Sequence, residues 1–337
     1  MPEHLQCETC AAPNTETSGV RMLGNTHELC SPLSGTTNVV VRDRVAAAEI
    51  VLGYRERYRV DVRRFFEKVD AIERVEDSDT GLSFFRPMIL GDERFYEDLS
   101  ASVQGYYPQE KEEFAIAREL IQSGDDVCEI GAGVGYFGDG IHCRSYVGLE
   151  FNPRAIAAAA ERGVTLEGSD VTLFAERRSG SFDVVCAFQV LEHVADPHAF
   201  IEAAMALAKP GGSIILSTPN ADAYISRCRD LLNAPPHHAT WWPDRTWLWI
   251  KEHFALTSVV VKHTAIDEAL WAWARMVALD GHARALGFEL NSLVDESPLR
   301  RRLDAFAECT ARVIVNGIRN RNDAPVLGHT SVAIFKK

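Results

Sequence analysis

A glycine-rich stretch at residues 126–140, DVCEIGAGVGYFGDG, has the pattern of a loop that bends around a nucleotide-like ligand. Gly131, Gly133 and Gly135 alternate with other residues directly after a short apolar run, which predicts a strand followed by a tight turn. Glu129 stands two residues before the first glycine, where its carboxylate would attract a positively charged group. The stretch therefore predicts ligand binding by backbone and carboxylate groups.

Two kinds of ligand use such a turn, and position 136 distinguishes them. A dinucleotide site has the pattern G-x-G-x-x-G, whose third glycine lets the helix pack closely on the strand. This chain has Tyr136 at that position, and its third glycine is Gly135. S-adenosylmethionine has no phosphate but carries a cationic amino-acid tail, which suits the acid at position 129. The residues favour S-adenosylmethionine over NAD.

Further acids follow the next two predicted strands. Glu150, in YVGLEFN, could bind both ribose hydroxyls, as an acid at this place does in NAD and S-adenosylmethionine sites alike. Asp170, in LEGSDV, could accept from the adenine amino group while Val171 donates its amide. Each acid alone could equally cap a helix, but acids at three successive strand ends predict one site at the carboxyl edge of a sheet. The other residues predicted to flank the cofactor there are Phe151, Phe188 and Gln189.

Strands alternate with helices from about residue 126 onwards. Strands are predicted at DVCEIG, SYVGLE, VTLEGSD, FDVVCAF and SIILSTP, and helices at NPRAIAAAAERG and DPHAFIEAAMALAK. This alternation predicts an α/β fold with a parallel sheet covered by helices on both faces. Two further strands, ALTSVVVKH and GHTSVAIFKK, are separated by about 64 residues of mainly helical sequence.

The motifs EIGAGVGYFG, YVGLEFNP, GSDVT, FDVVCAFQVLEHVADP and LAKPGGSIILSTPN resemble, in order and spacing, those of class I S-adenosylmethionine-dependent methyltransferases. The resemblance covers about residues 106–263 and the last strand. It implies a Rossmann-like core, 106–263 and 328–337, with seven strands and the last one antiparallel. It also implies methyl transfer to oxygen or carbon, and LEHV followed by DP is similar to the branch that acts on small molecules. The NPPY and DPPY motifs of amino-methylating enzymes are absent.

Two other functions stay open at this stage. One is a module that binds S-adenosylmethionine without catalysis. The intact acids at three strand ends argue against this function. The other is an NAD-dependent sugar-modifying enzyme, which Tyr136 disfavours.

Cysteines close to the N-terminus form two short pairs, CETC and HELC. Two such pairs suit tetrahedral zinc, so residues 1–40 are predicted to be a structural zinc knuckle with ligands Cys7, Cys10, His27 and Cys30. A tail with incidental cysteines is the alternative. Sugar methyltransferases and related polysaccharide-tailoring enzymes, which the chain resembles, carry such a knuckle, usually with four cysteines.

The segment 41–105 is predicted to be a helical connector. Residues 42–75 have apolar positions at steps of three and four between Arg and Glu, as a helix does. The following stretch FYEDLSASVQGYYPQEKEEF resembles a segment that packs over the cofactor in related enzymes. The resemblance implies that Tyr107, or Tyr106 beside it, contacts the methionine tail.

Three histidines are candidate general bases for an acceptor hydroxyl or carbon acid, because an imidazole titrates near neutral pH. His193 directly follows the fourth strand of the core, which places it near the sulfonium. His237 and His238, in NAPPHHATWWP, lie in a proline-rich loop where acceptor-binding loops belong. The pair is favoured over His193, which could instead be bonded to backbone at a helix start.

Residues 264–327 are predicted to be a helical insertion that binds the acceptor or mediates oligomerisation. All six tryptophans lie between positions 241 and 273. Their rings could stack on a sugar, but packing of the rings onto the core is favoured. The stretch SPLRRRLDAFAECTARVIVNGIRNRND has the spacing of an amphipathic helix. Its arginines Arg300, Arg301, Arg302, Arg319 and Arg321 could bind the diphosphate of a nucleotide-sugar, although a solvated or dimerising face is the default.

The composition excludes some partners. With a net charge of −13, the chain lacks the basic surface that binding to nucleic acids requires. No apolar run is long enough to span a membrane. Scattered cysteines predict reduced thiols and a cytoplasmic location. The expected partner is therefore a small-molecule or glycan acceptor.

Overall fold

The structure, a computed structural model, describes residues 29–103, 106, 108–223, 231–265, 270–287, 298–319 and 328–337. Its strands are β1 Val39–Ala46, β2 Ala71–Asp77, β3 Ser83–Arg86, β4 Asp126–Ile130, β5 Ser145–Leu149, β6 Leu166–Glu167, β7 Phe182–Phe188, β8 Ala208–Pro219, β9 Thr240–Trp241, β10 Ser258–His263 and β11 Thr330–Lys336. Its α-helices are α1 Ala47–Gly53, α2 Glu93–Ser102, α3 Glu112–Arg118, α4 Tyr136–Asp139, α5 Pro153–Glu161, α6 Val171–Arg178, α7 Pro197–Leu207, α8 Asp244–His253, α9 Leu270–Ala285 and α10 Pro298–Arg319.

Seven strands form one sheet in the order β6-β5-β4-β7-β8-β11-β10. The pairs from β6 to β8 are parallel, whereas β11 runs antiparallel to both β8 and β10. This topology confirms the predicted seven-stranded sheet with its last strand inserted antiparallel. The central strands are buried on both faces, as expected for a parallel sheet covered by helices, and therefore carry continuous apolar runs such as VVCAF in β7.

Three helices of the core follow strands of the parallel sheet, and a polar side chain marks where each helix begins. Asn152, Asp170 and Asp196 each accept hydrogen bonds from amides in the first turn of α5, α6 and α7. Proline occupies the first helical position of α5 and α7, where its missing amide costs no hydrogen bond. These caps fix where each loop at the carboxyl edge ends.

The prediction of a helical connector at 41–105 is wrong for much of its length. Strands β1, β2 and β3 lie in this segment and form a second, antiparallel sheet with β9, in the order β1-β2-β3-β9. From Arg42 to Ala46, exposed residues alternate with the less exposed Asp43 and Val45, which is the two-residue period of a strand. Cross-strand ion pairs join Arg42 to Glu76 and Arg74 to Asp43, so the charges that looked like helical neighbours stabilise a sheet instead.

The segment 231–242 connects the two sheets. Its Leu231 and Ala234 are buried in the core beneath the second sheet. The Ala239 amide donates to the Glu192 carbonyl at 2.7 Å, and the Phe85 amide donates to the Ala239 carbonyl at 3.0 Å. The loop that carries the predicted histidine pair is therefore held between the main sheet and β3.

Two elements of the C-terminal half follow their predictions. The predicted amphipathic helix is α10, which packs on α9 through the buried side chains Ala278, Leu279, Ala283, Leu303 and Ala307. Trp242 and Trp247 are fully buried and stack with ring centroids 5.0 Å apart, so these two tryptophans pack in the core. None of the helices in the described ranges is long and apolar enough to cross a membrane.

Replacing Trp247 by alanine should lower the free energy of unfolding by about 3–5 kcal/mol, because the fully buried indole leaves a cavity. Urea denaturation followed by circular dichroism measures the change. Leu248→Ala, on the exposed face of the same helix, is the control and should cost less than about 0.5 kcal/mol. Equal losses in the two variants would contradict the packing described.

Candidate cofactor and acceptor site

The glycine loop turns immediately after β4, at the carboxyl edge of the sheet. Gly131, Gly133 and Gly135 have φ angles of +74°, +55° and +79°, in the left-handed region that favours glycine. The amides of Gly131 and Ala132 both donate to the Leu149 carbonyl at 2.9 Å, which ties the loop to the end of β5. A Cβ on Gly133 would meet no protein atom within 4 Å, so this part of the loop faces open space.

Glu150 is held rigidly beside the loop. Its Oε2 accepts from the Gly133 amide and its Oε1 from the Asn152 amide, both at 2.8 Å. Each carboxylate oxygen has a second lone pair for a ligand, so the side chain can still bind a pair of hydroxyls. The structure thus brings Glu150 and Gly133 together, as the prediction of one site requires.

Asp170 and Phe151 lie at the ends of the neighbouring strands. Asp170 caps α6, where its Oδ1 accepts from the amides of Thr172 and Leu173. The helix-cap alternative therefore describes this residue, although Oδ2 makes no hydrogen bond to any described residue and stays available. Val171, the first residue of α6, is buried, whereas the Phe151 side chain is 68% exposed and offers an apolar surface next to Glu150.

Glu129 lies beneath the glycine loop rather than at its surface. Its side chain is buried and accepts a hydrogen bond of 2.5 Å from the Tyr146 hydroxyl. Burial raises the pKa of Glu129 to about 8, while the charge of Lys111 opposes this shift. A cation bound beside it would favour the ionised form.

The strand that ends at Phe188 contributes a strained residue to the same edge. The Phe188 ring packs into the core against Phe114 and Phe137, at centroid distances of 5.0 and 4.9 Å, so its side chain does not line the edge. Gln189 has a φ of +59°, rare for a residue with a side chain. Its buried Nε2 has no hydrogen-bond partner among the described residues, and neither has the buried Oγ of Ser217.

Glu192 is a functional candidate that the sequence interpretation missed. Its side chain is completely buried, and neither carboxylate oxygen has a hydrogen-bond partner within the described part of the chain. Burial raises the pKa of Glu192 to about 8. Unpartnered buried polar groups are costly, which makes Glu192 a candidate for contact with a ligand. The signal in the sequence is an acid inside the apolar run QVLEHV, where burial is expected.

The three candidate histidines converge, although they come from separate segments. His193 lies in a 3₁₀ turn after β7, and His237 and His238 lie in the segment 231–242. The three ring centroids are 4.3 to 4.9 Å apart. The Nε2 of His193 is 3.9 Å from the Glu192 Oε1, which places the cluster next to the unpartnered acid.

Aromatic hydroxyls and backbone carbonyls orient these rings. The Tyr106 hydroxyl lies 2.7 Å from the Nε2 of His237, and the Tyr96 hydroxyl lies 3.1 Å from the Nδ1 of His193. Burial lowers the pKa of His193 to about 3 and that of His237 to about 4, and it also lowers the pKa of His238. All three rings are consequently neutral at physiological pH.

Some predicted residues cannot be located. Tyr107, Cys7, Cys10 and His27 lie outside the described residues, and Cys30, at the edge of the described range, is exposed. The metal knuckle remains a prediction.

Comparisons with known proteins find methyltransferases. A sequence family described as "Methyltransferase domain" matches residues 101–264. Among curated proteins, the ubiquinone biosynthesis O-methyltransferase of Pseudomonas aeruginosa (strain LESB58) is 37% identical over 113 residues, which cover 31% of this chain and 49% of that protein. The protein of the same name from Paraburkholderia xenovorans (strain LB400) is 34% identical over 109 residues, 29% of this chain and 46% of that protein.

The chain thus matches about half the length of these curated relatives. Among solved structures, a SAM-dependent methyltransferase from Archaeoglobus fulgidus has a TM-score of 0.44 and 17% identity, and covers 67% of this chain and 92% of that one. The family match, the curated relatives and the strand order agree. Residues 101–264 are a class I S-adenosylmethionine-dependent methyltransferase domain.

Gly133→Ala should weaken binding of S-adenosylhomocysteine at least about tenfold, because the added methyl group would project into the open space beside the loop. Gly180→Ala is the matched control: its φ is +60°, its Cβ would also meet nothing within 4 Å, and it precedes β7 at the opposite edge. Both variants should lose about 1–2 kcal/mol of stability from left-handed strain, but only the first should lose affinity in calorimetry. Equal affinities would contradict this placement.

The raised pKa of Glu129 predicts a pH-dependent stability for the unliganded protein. The folded state keeps the proton up to about pH 8, whereas the unfolded state loses it near pH 4.5, so stability should fall as pH rises between these values. Glu129→Gln removes this effect, which amounts to at most about 1.4 kcal/mol per pH unit. Urea titrations at several pH values measure both slopes, and identical slopes would refute the prediction.

Proposed function

We propose that this chain transfers the methyl group of S-adenosylmethionine to an oxygen or carbon atom of a small-molecule acceptor. The observation that carries the proposal is the Glu150 carboxylate, held between the amides of Gly133 and Asn152 at the carboxyl edge of the sheet. A carboxylate in that place can bind both ribose hydroxyls of an adenosine. The methyltransferase family of residues 101–264 supports the choice of donor.

In this proposal the cofactor lies across the strand ends. The ribose binds Glu150, and the adenine lies against Phe151 with Asp170 and Val171 at its amino edge. The methionine ammonium group lies near Glu129. Lys111, whose charge acts on both Glu129 and Glu192, would attract the carboxylate of the same tail.

The sulfonium would then lie near Gln189 and Glu192, whose buried polar atoms have no partner among the described residues. The acceptor enters from the side of the three histidines. As its hydroxyl attacks the methyl carbon, one neutral imidazole accepts the hydroxyl proton, a role we assign to His193, His237 or His238 as a group. Their lowered pKa values make them weak bases, so the proton moves only as the oxygen–carbon bond forms and the hydroxyl becomes strongly acidic. The carbon–sulfur bond breaks, and its electron pair remains on sulfur to give S-adenosylhomocysteine.

The names of the curated relatives favour oxygen as the methylated atom, since they are called O-methyltransferases. The neutral, largely buried rings of the acceptor side suit a small cyclic acceptor, either a hydroxylated ring compound or a sugar. Nucleotide-sugars and glycans form the second group to be tested.

An NAD-dependent reaction is less well supported. The helix after the glycine loop, α4, has only four residues and carries Asp139 in its first turn. A pyrophosphate requires a helix N-terminus that is free of such negative charge. A binding module without catalysis is also less well supported, because it would need neither the buried Glu192 nor the histidine cluster.

The test is an assay with methyl-labelled S-adenosylmethionine against two acceptor panels, hydroxylated ring compounds and nucleotide-sugars, with products identified by mass spectrometry. We expect labelled product in one panel and loss of at least about 90% of the turnover in Glu150→Ala, because ribose binding is lost. Gly180→Ala, far from the site, serves as the active control.

Three outcomes would contradict the proposal. Binding of NAD but not of S-adenosylhomocysteine in calorimetry would support a dehydrogenase. Tight binding of S-adenosylhomocysteine with no methylated product in either panel, or in cell extracts, would support a binding module. Product formation that is unchanged in Glu150→Ala would refute the placement of the cofactor.

A further inference from the structure

The histidine cluster has the composition of a metal site. One ring nitrogen from each of His193, His237 and His238 lies within 4.8 Å of one from each of the others, and no other group of at least three such ligands occurs in the described part of the chain. Neutral imidazole is the most common metal ligand among side chains. The ligands come from two segments that tertiary structure holds together, so the cluster exists only in the folded protein.

The hydrogen bonds of the three rings select one tautomer. The Nδ1 of His193 lies 2.6 Å from the His237 carbonyl, and the Nδ1 of His237 lies 2.8 Å from the Leu232 carbonyl. The Nδ1 of His238 lies 3.1 Å from the Asn233 Oδ1. Because these oxygens only accept, each Nδ1 must carry the proton, and each Nε2 has a lone pair. Metal-binding histidines have the same arrangement: one ring nitrogen donates its proton to an oxygen such as a carbonyl, and the other nitrogen binds the ion.

The charge beside the rings suits a cation. Glu192 Oε1 is 3.9 Å from the Nε2 of His193, too far for a hydrogen bond, and both Glu192 oxygens are buried without a partner among the described residues. A divalent ion in this position would complete the carboxylate, and the carboxylate would offset part of its charge.

We propose that the Nε2 atoms of His193, His237 and His238 bind one divalent transition metal ion, with Glu192 as its charge partner. Nitrogen ligands favour zinc and similar ions over magnesium or calcium. Tetrahedral coordination with bonds of about 2.1 Å places ligand atoms about 3.4 Å apart, closer than the 4.8 Å within which ring nitrogens of the three histidines lie, so binding would draw the rings together. The Tyr106 hydroxyl, now 2.7 Å from the Nε2 of His237, gives way to the ion.

Three protein ligands leave one position of a tetrahedral ion open. That position would hold the acceptor oxygen for methylation. Because all three imidazoles would then bind the ion, the hydroxyl proton would pass to Glu192 and not to a histidine. This role, unlike metal binding itself, rests on the proposed function.

The test uses the full chain after removal of metal with a chelator, in a Cys7→Ser/Cys10→Ser background that disables the predicted N-terminal knuckle. Cobalt(II) is the probe, because it reports ligand type by its absorption. We expect one equivalent to bind with the visible bands of tetrahedral coordination and without the near-ultraviolet band of a thiolate ligand. Zinc should displace it.

His238→Gln should weaken cobalt binding about 100-fold or more, because it removes one of three ligands. His198→Gln is the matched control, since His198 forms a pair with His253, 5.7 Å away, outside the cluster, and should bind cobalt as the parent does. Circular dichroism shows whether each variant folds. If His238→Gln does not fold, ¹⁵N-histidine NMR of the unmutated chain replaces it: zinc should shift three of the eleven histidines at Nε2.

The site is refuted if no stoichiometric ion binds, if His238→Gln binds as tightly as the parent, or if only a thiolate band appears. The experiments distinguish failure of the metal proposal from failure of the proposed function. Methyl transfer that persists in the chelated protein refutes only the role of the ion at the acceptor. A cobalt site in a protein that methylates nothing refutes only the function.

Discussion

The parallel pairing of β4 with β5 on one side and β7 on the other determines the geometry of the entire site. This register brings the ends of these three strands to one edge, where the Leu149 carbonyl binds two amides of the glycine loop. Glu150 then lies within 2.8 Å of Gly133, although the two residues are 17 positions apart. A shift of one residue in β5 would turn this carboxylate to the other face of the sheet.

Several polar groups at the same edge of the sheet are buried, although burial destabilises them. Glu129 and Glu192 both have pKa values raised to about 8 by burial, and Gln189 has a strained backbone and an unpartnered amide nitrogen among the described residues. A folded protein tolerates such groups where a ligand completes them. A cofactor with two positive charges would favour the ionised form of both acids, so its binding would offset part of the cost of burying them.

The second sheet gives the acceptor side its shape. β3 holds the segment 231–242 against the turn after β7, and this contact brings His237 and His238 to His193. Neither segment could form the cluster alone, because its members are 44 residues apart in the chain. Whatever the cluster binds, its affinity should depend on the docking of the two sheets.

Short-range patterns predicted much of the core. Glycines with an acid before them, apolar runs of strand length and Asn or Asp before helices act within a few residues, so the strands from β4 to β8 and the positions of Glu150 and Asp170 could be predicted. The pattern at 42–75 was ambiguous, since Arg and Glu can pair along a helix or across strands. Pairing of Arg42 with Glu76 requires β2 to lie antiparallel beside β1, and these strands are separated in the chain by residues 47–70.

The sequence by itself determined the class of fold, the glycine loop and the acids that follow the strands, because each depends on neighbours along the chain. Tertiary structure alone decided that Phe188 packs into the core, that Glu129 is buried beneath the loop and that Glu192 has no partner among the described residues. It also decided that three histidines from two segments share one neutral cluster. Burial and long-range contact set these properties, and neither can be deduced from residue type or spacing.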